Sequence, residues 1–253
     1  MYRIVVPVDS QDPEAWNLAL AYAQKIGEAR KQVSDVVLLV HTKRQFDQTA
    51  LSSYVGKRNA AALSKGNSVG LSNGATLRLC TLRTVSQRHD GSVVVAFFAD
   101  DQLLDATDDL DGLGGIVAVP DLPEGADTWA MRWGAIVHGK ENQQTQKLID
   151  DGVVEAAFRN IVSNVNPSTG IGHPRDKELA NENLRILRAN GHKLDGAAIR
   201  SWAIQQGWTS SNAEELAKLA AKIGELKTKP NLSGIYNPQL RYDNWVADQA
   251  TAE

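Results

Sequence analysis

An open, mainly parallel α/β sheet with helices on both faces, followed by an all-helical C-terminal region, is the fold class this chain predicts. Three observations carry that reading. Val36 to Val40 and Val93 to Ala99 are continuous apolar runs too short for helices, as expected of strands covered on both sides. Between such runs lie segments with apolar residues at helical spacing. From about Lys140 onward the strand signal stops, which divides the chain into an α/β domain over 1–140 and a helical domain over 145–253.

Taken in order, Ile4 to Val8 reads as the first buried strand. Glu14 to Arg30 then spaces Trp16, Leu20, Ala23 and Ile26 along one helical face, with Asp12 as the cap and Pro13 in the first turn. After the Val36 strand, Thr49 to Ser64 predicts a second helix, and Lys65 to Gly74 a turn-rich loop. Leu77 to Thr84 alternates like a half-exposed strand. Gln102 to Leu110 is a short helix, Ile116 to Val119 a buried strand entered through Gly114-Gly115, and Asp127 to Val137 a helix with Trp129 and Trp133 one turn apart. That aromatic pair reads as packing.

The polar run Glu141 to Gln146 suits a linker or an exposed helix start. Beyond it, helices fit Leu148 to Val165, Asp176 to Asn190 (with Asp176 as cap), Ala197 to Gln206 and Ala213 to Leu226. The tail carries turn signals at Lys229-Pro230 and Asn237-Pro238, and Tyr236, Tyr242 and Trp245 are expected to dock it.

Composition narrows the function classes. Over 253 residues, 42% hydrophobic and 23% charged content excludes wholesale disorder and fibrous repeats. A formal net charge of -3 with mixed signs removes a chain-wide basic footprint for nucleic acid. One cysteine, Cys80, permits neither an intrachain disulfide nor a cysteine zinc cluster, and its apolar neighbours Leu79 and Leu82 mark it as a small core residue. No secretory h-region and no apolar run of roughly 18 to 20 residues is present. The expectation is a cytoplasmic protein without a membrane partner.

Open α/β sheets bind ligands at the carboxyl ends of their strands. In this chain those ends carry Asp9, His41, Asp100, Asp101 and Asp121. Carboxylates there can hold Mg²⁺ or hydrogen-bond a ribose, and they also cap helices and form turns. Asp9, His41, Asp100 and Asp101 are therefore the candidate cofactor-binding residues. No metal site is assigned.

Tyr2-Arg3-Ile4-Val5-Val6-Pro7-Val8-Asp9, the helix after it and Val36-Val37-Leu38-Leu39-Val40-His41 resemble the opening of universal stress proteins and related nucleotide-binding α/β domains. The resemblance covers about forty residues. It implies a nucleotide, with or without Mg²⁺, and places the residue matching Asp9 near the adenine and ribose of ATP. ATP-binding members also carry a glycine-rich loop ending in small hydroxyl residues. Here that region reads Gly91-Ser92-Val93, then Asp100-Asp101, with Gly112, Gly114 and Gly115 further on, and no phosphate-loop motif occurs. A phosphate beside Asp100-Asp101 would need an intervening cation.

Ala197 to Trp208, with the following helix, resembles the helix-turn-helix-like DNA-binding module of actinobacterial bridging nucleoid proteins through Ile199-Arg200-Ser201-Trp202-Ala203. That family's basic loop is replaced by Thr209-Ser210-Ser211-Asn212, and Glu214 and Glu215 would face phosphates. His89, His138 and His192 stand isolated, and Arg175 beside His173 could bind an anion. Three functions stay open: a ligand-binding or regulatory protein with a nucleotide-binding-like domain; a DNA-associated protein using Arg200 and Lys218; and an interaction protein that forms homo-oligomers or binds a protein partner. Whether the chain is an enzyme is not decided at this level.

Overall fold

A computed structural model describes residues 1–30, 35–141 and 147–252. The stretch from Asn142 to Gln146, most of the expected linker, lies outside them. The chain forms two compact units, Met1–Gln146 and Lys147–Glu253. Among the described residues, no helix is long and apolar enough to cross a membrane.

The first unit is built on seven strands: β1 Tyr2–Val5, β2 Val36–Val40, β3 Val69–Gly70, β4 Thr76–Thr81, β5 Val93–Ala99, β6 Gly115–Pro120 and β7 Ile136–Val137. Their order is β3-β4-β2-β5-β6-β1-β7. All neighbours pair in parallel except β3 with β4. The sheet is therefore mainly parallel, with helices on both faces, and the described residues of the second unit form helices joined by loops, with no strand among them.

Side-chain alternation along the strands sorts the helices between the two faces. Ile4, Leu38, Val95 and Val117 share one core with α1 (Pro13–Ala29) and with the short helices α2 (Lys43–Gln48), α3 (Leu51–Val55) and α4 (Lys57–Ser64). Val5, Leu39, Val94 and Ile116 share the other with α5 (Asp101–Asp108) and α6 (Asp127–Trp133). Cys80 is buried in this second core, where loss of water pushes its thiol up from its ordinary value.

Local chemistry explains where the elements begin and end. Asp12 accepts the Glu14 amide at 2.8 Å and Pro13 opens α1, as the sequence predicts. The helix expected over Thr49 to Ser64 is instead two short ones, α3 and α4, parted at Gly56 with φ 91°, and the extended Thr49 ends α2 just before them. The helix expected to reach Val137 stops at Trp133, where Gly134 takes the left-handed conformation and releases the chain into β7. Gly114 is a packing requirement: a Cβ there would lie 2.5 Å from the Gly91 carbonyl oxygen.

In the second unit, α7 (Gly152–Asn164), α8 (Pro174–Ala189), α9 (Gly196–Gln205), α10 (Ser210–Gly224) and α11 (Pro238–Ala252) enclose Phe158, Leu184, Leu187, Trp202 and Leu216. Phe158 and Trp202 meet edge to face at 5.9 Å. The cap of α8 is His173, whose Nδ1 accepts the Arg175 amide at 3.3 Å, rather than the expected Asp176. The tail is a helix: Trp245 is buried on it, whereas Tyr236 is 82% exposed and docks nothing.

The expected tryptophan pair does more than pack. Trp129 and Trp133 both donate their indole N–H to Asp108, at 3.1 and 3.0 Å, and Arg132 donates at 3.0 Å. Arg3 stacks 3.4 Å over the Trp133 ring. Burial pushes the Asp108 carboxyl up, against the Trp133 hydrogen bond and the charges of Arg132 and Arg3. The same burial brings Arg3 down to about 10. Desolvation outweighs attraction on both partners, so the cluster holds its members in place rather than adding large net stability. Removing one partner is the costly change. Asp108→Ala is expected to lower the unfolding free energy by about 3–5 kcal/mol, read from urea titrations by tryptophan fluorescence. Asp90→Ala, which breaks only the exposed Arg88–Asp90 pair, should leave the same transition unmoved.

Candidate functional site

The crossovers decide where a ligand can enter. β2 leads through α2–α4 to β4 on one side of it, and β5 leads through α5 to β6 on the other. Those helices lie on opposite faces. Neighbouring strands whose connections part in this way form a topological switch point, with a crevice at their carboxyl ends. His41 directly follows β2 and Asp100 directly follows β5.

These two residues meet. His41 Nε2 lies 3.1 Å from Asp100 Oδ1, and that carboxylate also caps α5 by accepting the Leu103 amide at 2.9 Å. The last turn of β5 is unusual. Phe98 has φ 60°, a region that a bulky side chain rarely occupies. The bulge there turns Phe97 and Phe98 into the same core, their rings edge to face at 5.0 Å, and restores pairing at Ala99 with Pro120. The irregularity sits two residues before Asp100.

The other two candidates do not join them. Asp101 lies in the first turn of α5, exposed. Asp9 ends the approach from β1, and β5 and β6 intervene between β1 and β2, about 14 Å of sheet. Its carboxylate accepts the Gln11 amide at 2.8 Å, the turn-forming role of aspartate. Nearby, Ser10 donates to Asp121 at 3.3 Å, tying the ends of β1 and β6. The expected convergence of all four residues on one rim is thereby corrected to a His41–Asp100 pair.

Beside His41 a groove of about 480 Å³ opens over the ends of β2 and β4. Leu63 and Leu79 form its apolar part, and Lys43, Thr81, Arg83 and Thr84 its polar rim. Among the described residues, neither Lys43 nor Arg83 has an ion-pair partner, so the groove carries two exposed cations and several hydroxyls. This is anion-binding chemistry. Periodicity marks Lys43 and Arg83 as ordinary surface cations; only the pairing of β2 with β4 puts them together.

The remaining histidines differ in their partners. His89 is buried, takes a hydrogen bond from Arg78 at 2.7 Å and donates one to the Ser86 carbonyl at 2.7 Å. Burial lowers its imidazole from the ordinary value, beyond what the Ser86 carbonyl restores, and the Arg78 charge adds to the fall. His138 bonds Tyr22 at 2.8 Å. His192 is not isolated: its Nδ1 lies 2.6 Å from Asp151 and its Nε2 3.0 Å from the Tyr242 hydroxyl. Sequence separations of 41 and 50 residues hide this triplet from any local motif.

In the second unit α9 and α10 do pack as neighbours, yet Arg200 Nε lies 2.9 Å from Glu214, which also takes Lys218 at 3.4 Å. Both cations assigned to DNA contact are thus beside one carboxylate. Residues 150–246, all within this unit, match the model of a family described as a domain of unknown function (DUF1889). No curated protein and no solved structure matches the chain.

Asp151 gives a prediction of its own. Burial raises its carboxyl, but the His192 hydrogen bond, the Val154 amide, the His192 charge and the Val153 amide outweigh it and hold the group below its ordinary value. A carboxylate lowered on folding stabilises the fold above its unfolded value, about 3.9, and loses that contribution as pH falls through the lower folded value. Wild type should melt higher than Asp151→Asn at pH 7, with the gap closing below about pH 4. A gap that persists unchanged in acid contradicts the assignment.

Proposed function

We propose that this is a ligand-binding or regulatory protein whose α/β unit holds a small phosphate-bearing ligand at the carboxyl ends of β2 and β4, beside the switch point between β2 and β5. The carrying observation is that the cationic groove over the ends of β2 and β4 adjoins, at His41, the topological switch point marked by the His41–Asp100 pair. The phosphate would lie against Lys43 and Arg83, with the Thr81 and Thr84 hydroxyls as further donors. A nucleotide is the ligand class that the universal stress protein resemblance implies. On this reading the phosphate lies on the far side of His41 from Asp100, which removes the repulsion that Asp100 would otherwise exert.

Asp9 then takes no part in holding the phosphate, and its turn role is sufficient reason for an aspartate there. Nucleic acid is the weaker alternative, because Glu214 faces both Arg200 and Lys218.

The test is a melting-temperature screen of the full chain with ATP, ADP, cyclic nucleotides, NAD and pyrophosphate, each with and without Mg²⁺. At least one should raise the melting temperature. A charged hydrogen bond contributes about 1.5–3 kcal/mol, less where solvent reaches it. The Lys43→Ala/Arg83→Ala double variant is therefore expected to bind about tenfold more weakly or worse, and Asp9→Ala to bind as wild type does. No response to any of these compounds, or a double variant that responds like wild type, refutes the proposal.

A further inference from the structure

Asp151, His192 and Tyr242 come from three separate places in the second unit: the cap of α7, the loop between α8 and α9, and the first part of α11. They line one cleft of about 530 Å³. An ionised carboxylate can only accept hydrogen bonds, so the 2.6 Å contact puts the proton of a neutral His192 on Nδ1. Nε2 is then bare and accepts the Tyr242 hydroxyl at 3.0 Å. The outcome is a carboxylate orienting an imidazole that is itself placed as a base for a hydroxyl, the geometry of an activated nucleophile.

We propose that Tyr242 is the nucleophile of an acyl-transfer site in the helical unit, with His192 as its general base and Asp151 as the residue that positions His192. The phenol oxygen bonds to the acyl carbon of an ester as its proton passes to His192 Nε2. The ester C–O bond then breaks, and the leaving alcohol departs with that proton. Water hydrolyses the acyl-tyrosine by the reverse assistance, which restores the starting groups.

The cleft selects the substrate class. Ile149, Val154 and Ile199 supply apolar wall, suited to a hydrocarbon acyl body. Among the described residues, the charged groups lining the cleft with His192 and Tyr242 are Asp150, Asp151 and Asp195 against one cation, Lys193. This excess of negative charge disfavours phosphoesters and carboxylate-bearing esters and admits neutral or amine-bearing ones.

The full chain supplies its own control. Tyr236 is 82% exposed, whereas Tyr242 is half-buried against His192. When a brief incubation with p-nitrophenyl acetate at pH 7.5 is quenched in acid before the acyl group is hydrolysed, peptide mass mapping should find Tyr242 acetylated about 100-fold faster than Tyr236, the size of a general-base contribution. His192→Gln should bring Tyr242 down to the level of Tyr236, and p-nitrophenyl phosphate should modify neither. Equal acetylation of the two tyrosines in wild type overturns the proposal, whether or not the variant folds. So does undiminished Tyr242 acetylation in a folded His192→Gln protein, or modification by the phosphate ester. A clasp that only holds α11 in place would ration, not raise, the reactivity of the phenol.

Discussion

A parallel sheet has to be covered on both faces, and right-handed crossovers leave only one way to do that with the strand order found here. The connections leave β2 and β5 toward opposite edges and opposite faces. Everything assigned to the α/β unit depends on that parting. It opens a crevice at the strand ends, brings the residues after β2 and β5 side by side, and leaves His41, paired with Asp100, on the wall of a groove. Strain is concentrated at the same place, in the left-handed Phe98 and the bulge that carries it.

Much of this fold was legible in the amino-acid sequence because its strongest signals are local. The runs Val36 to Val40 and Val93 to Ala99 appear as strands with the bounds expected of them. Asp12 and Pro13 start α1 for reasons of hydrogen bonding and φ that need no tertiary context. Where the reading failed, a single residue's conformation or a distant partner decided the outcome. Gly56 and Gly134 end helices that hydrophobic spacing alone would extend. The tail looked like turns because Pro230 and Pro238 punctuate it, yet proline at the first position of a helix is favourable, and Pro238 opens α11.

The candidate site was legible only in part, and the reason is strand order. A sequence shows which residues follow strands but not which strands are neighbours. Asp9, His41 and Asp100 all satisfied the first condition, whereas β5 and β6 separate Asp9 from His41. The same blindness hid the Asp151–His192–Tyr242 triplet and the buried Asp108, whose donors Trp129 and Trp133 read as plain packing residues. In each case a polar atom found its partner across the fold, where no spacing rule reaches.

A phosphate-bearing ligand is proposed to meet the protein in the groove at the carboxyl ends of β2 and β4, with His41 on its wall. Nitrogen-15 spectra of the five histidine side chains, recorded while ADP is titrated into the full chain, address it at the residue in question. The account predicts that the His41 ring signals move saturably while those of His89, His173 and His192 stay in place. A saturable response at another histidine with His41 unmoved would contradict it.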